Sequence, residues 1–506
     1  MARSTTKQGR PTEAPAPPMR PATDGKLPFT KVVATIGPAS EDRVGELLDA
    51  GLSVAEVDAG HGEARINFSH GDEEDARRRI AKVRAAAEER QRPVGILVDL
   101  PGPKMRTGSF NGGRIELVEK EVIRMRSGSG RAVAGEVQID VPNIHESLRP
   151  GHRVFLNDGQ IEVMVEDGFG ETVVGRVVRG GWVGDRKGVH MPDSDVEYEL
   201  PTARDREWLA FARDLNVEMV GVSFVAHASE IAAIRELIPG ASIVSKIERR
   251  AALDNLEELL EASDGIMVAR GDLGVELELS DLPIVQKSIL TAAVRAGKYT
   301  ITATEMLESM IQSSRPTRAE VTDVANAVLD GSDAVMLSAE TAVGDYPVAA
   351  VRQMSNIALS VEQSQRYQHR PRLKLKAEDA TFRNAIAMAA VHTANALGLR
   401  RIVCFTETGN TARLLSRYRP SAEIIGLSPD PGSVARMTAL AHVRPVVFRR
   451  QANLEDMIQR ASQTLLERGM VEDGEEVIIV AGVPPGVARS TNVMKLHRIG
   501  ETVRFS

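Results

Sequence analysis

Cysteine is nearly missing. Cys404 is the lone thiol among 506 residues, which excludes an intrachain disulfide framework and any cysteine-built metal cage. No apolar run approaches the roughly 18 residues that a membrane helix needs, so no membrane partner is expected. Basic excess is absent too: 63 Lys and Arg stand against 70 Asp and Glu, a net charge of −7, which argues against a nucleic-acid wrapper. Residues 1–27 hold five prolines, five basic and two acidic residues but no apolar centre of a signal peptide; they are expected to form a disordered arm on a cytoplasmic protein. No short-period internal repeat stands out. What is present is an ordinary globular balance, 42% hydrophobic and 26% charged, in a chain long enough for two or three domains.

From residue 31 a strand–loop–helix unit recurs. Residues 31–36 alternate as a strand and lead through Gly37-Pro38 to Ser40, expected as an N-cap with Glu41 and Asp42 in the first turn. Val44, Leu47 and Leu48 then share one helical face, and Gly51 stops the helix. Further apolar strands end near Phe68, Asp99, Phe224, Lys246, Val268, Ala303 and Leu337, with helical stretches such as 251–262, 283–296 and 319–329 after them. Eight β/α repeats predict an α/β fold, a closed parallel (β/α)8 barrel. About a hundred residues separate the third strand (94–99) from its helix (204–215), too many for a plain loop. Alternating stretches at 114–118, 153–156, 161–165 and 172–178 predict a β-rich domain inserted at the C-terminal rim, placed to act as a lid. After a charged connector at 363–379, helices at 382–397, 411–418, 433–441 and 454–469 alternate with strands at 401–405, 423–427 and 476–481, which predicts an open-sheet α/β domain. The expected division is an arm (1–27), a barrel (28–108 and 200–362), a lid (109–199) and a C-terminal domain (375–506).

Catalytic groups of such a barrel gather where its strands end. Those ends carry Arg65, Asn67, Ser69 and His70; Asp99, Lys104 and Arg106; Lys246 and Glu248; Arg270 and Asp272; Thr304 and Glu305; and Ser338 and Glu340. Glu248 and Asp272, on neighbouring strands, suit an oxygen-ligated cation such as Mg²⁺. Lys246 with three arginines suits a polyanionic substrate. The run Ala269-Arg270-Gly271-Asp272-Leu273-Gly274 offers backbone N–H groups at a short helix start, a seat for an anion. Each group also has an ordinary structural reading: a carboxylate as helix cap or surface ion pair, Lys246 and Glu248 as a local salt bridge, Asp99 as a cap of its loop, His70 as a turn partner. Their joint occurrence at adjacent strand ends favours a site.

At these residues the sequence resembles the pyruvate kinases, from about Lys31 to Phe505. The resemblance is carried by Lys31-Val-Val-Ala-Thr-Ile-Gly-Pro-Ala-Ser40, Ala64-Arg-Ile-Asn-Phe-Ser-His-Gly71, Asp99-Leu-Pro-Gly-Pro-Lys-Met-Arg-Thr-Gly108, Ser245-Lys-Ile-Glu248 and Ile266-Met-Val-Ala-Arg-Gly-Asp-Leu-Gly274. Met306-Leu-Glu-Ser-Met310, Arg315-Pro-Thr-Arg-Ala-Glu320, Asp323-Val-Ala-Asn-Ala-Val-Leu-Asp-Gly331 and the looser Gly482-Val-Pro-Pro-Gly486 continue it in the family's order. It implies phosphoryl transfer from phosphoenolpyruvate to ADP, giving pyruvate and ATP in glycolysis, with Mg²⁺ or Mn²⁺. By motif position, Lys246 would stabilise the phosphoryl group in flight and, with Arg65, Gly271, Asp272 and Thr304, bind substrate. Thr304 would face the enolate where a water-borne proton arrives. Glu248 and Asp272 would ligate the divalent cation. Asn67, His70, Arg106 and the lid residue Lys187 would contact the nucleotide, and lid closure would exclude competing water. A homotetramer is implied as well. Two other readings compete: a Mg²⁺-enolate lyase or aldolase on a related barrel, and a catalytically silent metabolite sensor.

The chain departs from the family pattern in places. Many members hold K⁺ with positions matching Asn67, Ser69, Asp99 and the backbone carbonyl of Leu100, and those members carry Glu where this chain has Lys104. An ammonium tethered near Asp99 would supply the charge of K⁺, so activity without K⁺ is expected. Residues 56–63 look inserted just before or within strand 2, with Val54-Ala55 and Ala64 competing for one register. Glu305 stands where the family usually has Gln. In the last domain Thr406-Glu407-Thr408-Gly409-Asn410-Thr411 opens a helix after a strand, and hydroxyls at a helix start suit a phosphate. The family uses this loop for phosphorylated activators, which implies an effector seat at Thr406, Thr408, Gly409 and Thr411.

Overall fold

The computed structural model describes residues 26–58, 71–194, 196, 199–369, 373, 381–484 and 491–503. Eight parallel strands close on themselves: β1 (Lys31–Thr35), β2 (Leu52–Asp58), β3 (Gly95–Asp99), β4 (Met219–Val222), β5 (Ser242–Ile247), β6 (Gly265–Ala269), β7 (Tyr299–Ala303) and β8 (Ala334–Leu337). Each pairs with its sequence neighbour, and Lys31 of β1 lies beside Ala334 of β8 to complete the ring. Strand alternation sorts the side chains. Val32, Ala34, Leu52, Ala55, Val57, Ile96 and Val98 turn outward to the helices, whereas Val33, Val54, Leu97, Met219, Val244, Met267 and Met336 fill the lumen.

Two expectations need correction here. Strand 2 does not end near Phe68: β2 occupies Leu52–Asp58, and the segment around Phe68 lies outside the described residues. The helix Val44–Ala50 ends at Gly51, whose φ of 123° is open to glycine, and the chain enters β2 at the next residue. With no intervening loop, the nearer apolar run takes the strand. Nor does Ser40 cap the first helix; its hydroxyl accepts the Gly37 N–H at 3.1 Å in the preceding turn, and the helix starts at Val44.

Between β3 and β4 a six-stranded sheet and a two-stranded ribbon form the lid, around a core of Ile123, Met125, Val137, Ile139, Val163 and Val177 among others. The C-terminal unit is a five-stranded sheet of β9 (Arg401–Phe405), β10 (Glu423–Ser428), β11 (Val443–Val447), β12 (Glu476–Gly482) and β13 (Thr491–Arg498), in the order β11-β10-β9-β12-β13 with only β13 antiparallel. Its inner face joins the lower lumen of the barrel in one apolar cluster.

A buried ion pair crosses that junction. Asp333, just before β8 and 3% exposed, accepts from the two terminal nitrogens of Arg419 at 2.6 and 2.9 Å, from Thr300 N at 3.0 Å and from Ala441 N at 3.1 Å. Neutralising the carboxylate strands a buried guanidinium, so Asp333→Asn should cost about 3–5 kcal/mol of stability. Thermal and denaturant unfolding of the whole chain measures it; a wild-type midpoint would show the pair to be dispensable.

Candidate active site

The C-terminal ends of the barrel strands bring together one ammonium and several carboxylates. Val244 points into the lumen, so Lys246, two residues on, does too, and Glu248 follows on the same side. Lys246 Nζ lies 2.7 Å from Asp99 Oδ2, 2.9 Å from Ser223 Oγ and 3.0 Å from Glu248 Oε1. Burial works against its charge, but Asp99 and Glu248 outweigh burial and hold its pKa well above that of an ordinary lysine. Burial pushes Glu248 the other way for an acid, upward, with Asp272 and Asp99 adding to it and Lys246 opposing. The second Glu248 oxygen accepts Phe224 N at 2.7 Å. Gly221 makes room for this cluster, since a Cβ there would stand 2.4 Å from Asp99 Oδ1, an oxygen with no hydrogen-bond partner among the described residues.

Beside it runs α1 (Arg270–Glu276), which starts directly from β6. Gly271 N donates to Thr304 Oγ1 at 2.8 Å, and that hydroxyl donates to the Ala303 carbonyl at 2.7 Å. Thr304 sits at φ 64°, Glu305 at 54° and Phe224 at 59°, three non-glycine residues in the left-handed region at one rim. Arg270, expected to face the substrate, instead holds this strained turn from below: it is buried, donates to the Thr304 carbonyl at 2.6 Å and pairs with Asp323 at 2.5 Å. Glu340 is likewise committed to the backbone, accepting Leu307 N and Ser338 N. Glu305 is exposed.

Lys104 does not pair with Asp99. Its Nζ lies 3.6 Å from Asp272 Oδ1 and 3.5 Å from the lid residue Asp158, because Lys246 already occupies the Asp99 side. The Leu100 carbonyl accepts Ser223 Oγ at 2.8 Å. Arg106 and Lys187 both lie where lid and barrel join: Arg106 pairs as an antiparallel bridge with Gly188 and donates to the Arg186 carbonyl, while Thr107 N donates to the Lys187 carbonyl at 2.8 Å.

Arg65, Asn67, Ser69 and His70 lie outside the described residues. In their expected place, β2 carries Glu56, buried, facing the lumen two residues above Val54 and level in register with Thr35 and Leu97. The reason is a short repeat, contrary to the expectation that none is present. Ala55-Glu56-Val57-Asp58-Ala59-Gly60-His61-Gly62 lines up with Ala64-Arg65-Ile66-Asn67-Phe68-Ser69-His70-Gly71, nine residues apart: Ala, His and Gly recur, Val stands for Ile, Glu for Arg and Asp for Asn, and Ala and Gly stand for Phe and Ser. Residues 55–58 of the first copy lie in β2. Pairing each family-like segment with its immediate neighbour would have revealed this.

In the C-terminal domain, α2 (Asn410–Arg417) begins after Gly409 at φ 84°. Thr406 and Thr411 are buried: Thr411 N donates to Thr406 Oγ1 at 3.4 Å and Thr411 Oγ1 meets Thr491 Oγ1 at 2.9 Å. Thr408 is exposed and accepts Asn410 Nδ2, and Glu407 pairs with Arg450 through both oxygens at 3.2 and 2.6 Å.

No helix among the described residues is long and apolar enough to cross a membrane. The family model "Pyruvate kinase, barrel domain" matches residues 27–351, and "Pyruvate kinase, alpha/beta domain" matches 384–497. The "Pyruvate kinase" proteins of Staphylococcus aureus strains MRSA252 and USA300 are each 38% identical over 482 residues, 94% of this chain and 81% of theirs. With the closed barrel, the inserted sheet and the C-terminal α/β unit in the order those domains require, the chain belongs to the pyruvate kinase family.

Proposed function

We propose that phosphoenolpyruvate and ADP meet at the rim around Lys246, where this chain carries out the family's phosphoryl transfer to give pyruvate and ATP. One observation carries the reading: a single buried ammonium held at 2.7 and 3.0 Å by Asp99 and Glu248, aligned with the strand ends that bear Asp272 and Thr304. Lys246 would oppose the negative charge that spreads over the phosphoryl oxygens as the bond to the enolate oxygen breaks and the bond to ADP forms. Its position is fixed before substrate arrives, so no reorganisation is spent at the transition state. Gly271, Asp272 and Thr304 would seat the carboxylate end. The Thr304 hydroxyl would orient the water that protonates the enolate. Arg106 and Lys187, at the lid junction, would take the nucleotide phosphates, and the lid would exclude the water that competes with ADP.

The donor set fits a divalent cation. Asp99, Glu248 and Asp272 share two ammonium groups, Lys246 and Lys104, and Glu248 is pushed toward protonation by burial and by its acidic neighbours, a cost that a cation would remove. Two carboxylates suit Mg²⁺, which keeps several waters and takes further oxygens from phosphates. Glu248 and Asp272 would hold it, and when bound it supplies charge neutralisation between the two substrates. Mn²⁺ would serve in the same seat.

Activity without K⁺ is part of the proposal. It is supported by the Lys104 ammonium beside Asp272 and by the Leu100 carbonyl, which is satisfied by Ser223. ATP formation from phosphoenolpyruvate and ADP with Mg²⁺ in tetramethylammonium buffer tests both parts. Turnover should be present and change less than about twofold on adding KCl, whereas Lys104→Glu should make it K⁺-dependent. Pyruvate release without ADP would point to lyase chemistry instead; strict K⁺ dependence of the wild type would end the Lys104 reading. A homotetramer and a phosphorylated effector at Thr406–Thr411 belong to the same proposal; a phosphate at that loop would compete with Glu407 for Arg450. Sedimentation and assays with candidate sugar phosphates test these.

A further inference from the structure

One buried lid residue reaches the barrel site and has no part in the chemistry above. His190 ends the short lid strand Val189–His190, which pairs with Arg153–Leu156 so that His190 lies opposite Phe155. It is 3% exposed. Its Nε2 stands 3.6 Å from Asp272 Oδ1 and its Nδ1 3.6 Å from Glu276 Oε1. Asp272 and Glu276 are four residues apart on α1 and so share one face of that helix, the face on which the lid rests. The imidazole spans both. At these separations neither contact is a hydrogen bond, and Nε2 has no hydrogen-bond partner among the described residues.

A buried ring nitrogen without a partner is a cost that an apolar residue of the same size would avoid. Its aim at a carboxylate, a few tenths of an ångström beyond hydrogen-bond reach, gives that cost a use. Asp272 is also one of the two proposed cation ligands, and a ligating carboxylate needs a partner to fix its rotation. Lys104, at 3.6 Å from the same oxygen, approaches from the β3 loop, whereas His190 approaches from the lid. We propose that His190 is a positioning residue for the divalent-cation seat: as the lid settles on α1, its Nε2–H closes on Asp272 Oδ1 and holds that carboxylate in the orientation that binds the cation. Glu276 flanks the other edge of the ring, 3.6 Å from Nδ1. The lid then does more than exclude water, because its closure tightens the cation site, and cation binding in turn favours closure. This rests on the reading of Glu248 and Asp272 as that seat.

Mn²⁺ alone, titrated into the full-length protein and followed by the electron paramagnetic resonance of the free ion, tests it without turnover. His190→Phe keeps the ring volume and removes both nitrogens; Mn²⁺ affinity should fall about tenfold. His190→Gln restores an N–H donor and should bind within about threefold of wild type. In the assay, His190→Phe should recover most of its kcat when Mn²⁺ is raised, which a general packing defect would not. His190→Ala replaces the phenylalanine variant should the latter unfold. Unchanged affinity in the variants lacking nitrogen, or equal loss in His190→Gln, would overturn the proposal. Asp272→Asn separates the two layers. It should lose Mn²⁺ by at least tenfold, and wild-type binding by that variant would remove the seat itself, whereas loss in Asp272→Asn with none in His190→Phe removes only the role of His190.

Discussion

Lys246→Met should abolish nearly all ATP formation, with kcat falling about a thousandfold, roughly 4 kcal/mol in the barrier. The reason lies in the charge count around the residue. Lys246 is the cation that contacts Asp99 and Glu248, and no other described side chain has its amine within 3.0 Å of either. Methionine preserves much of the volume but leaves two buried carboxylates side by side. Glu248, whose pKa burial and its acidic neighbours already raise, must then retain a proton that it would lose in the unfolded chain. A folded-state pKa raised above the unfolded value means that the variant's stability falls as pH rises through that pKa. Lys246→Met should therefore melt lower at pH 8 than at pH 6, relative to the wild type, while its kcat stays about a thousandfold down at both. Retained turnover would end the phosphoryl-transfer role of Lys246. A pH-independent melting difference would mean that Asp99 and Glu248 do not sense each other once the lysine is gone.

The barrel was legible because each strand is a short apolar run closed by polar residues, and because glycine and proline mark the turns between units. Lys246 and Glu248 were legible for the same reason: two residues apart on one strand, they must face the same way. Edge strands were not. β11 contains Arg444 and Pro445, and β13 buries Thr491 and His497 while Leu496 is exposed, so neither carries the apolar signal of a buried strand. Contacts made by docking were also hidden. Nothing within the lid sequence alone says that His190 will face Asp272, or that Asp158 will reach Lys104, since both depend on how the inserted sheet settles on the rim. Arg270 shows the converse. Its strand-end place suggested substrate, yet the turn at Thr304 needed a buried donor for its carbonyl, and the guanidinium met that demand first. The hardest case was β2, where two neighbouring segments both satisfy the pattern and only the absence of a loop after Gly51 decides between them.

That choice carries the second large prediction. Deleting residues 56–64 joins Ala55 to Arg65, so the strand reads Val54-Ala55-Arg65-Ile66-Asn67 and the acid facing the lumen becomes an arginine. Alternation is preserved, because Ile66 takes the outward place of Val57. The connection also becomes conventional. Twelve residues, 59–70, now lead from β2 to the helix Gly71–Glu89, and the deletion leaves Phe68, Ser69 and His70, three residues, within the usual span of a βα loop. Glu56, Asp58 and Glu63 are lost together, which lowers the negative charge near a site that must admit a trianionic substrate. A charge-assisted contact from arginine to phosphate is worth about 1.5–3 kcal/mol, so KM for phosphoenolpyruvate should fall by roughly one to two orders of magnitude. Glu56→Ala, which removes repulsion without adding a donor, should give a smaller fall. If KM in the deletion variant stays at the wild-type value while the protein remains folded, the residue facing the lumen from β2 does not govern substrate affinity, and the acidic copy of the repeat is a neutral occupant of the strand.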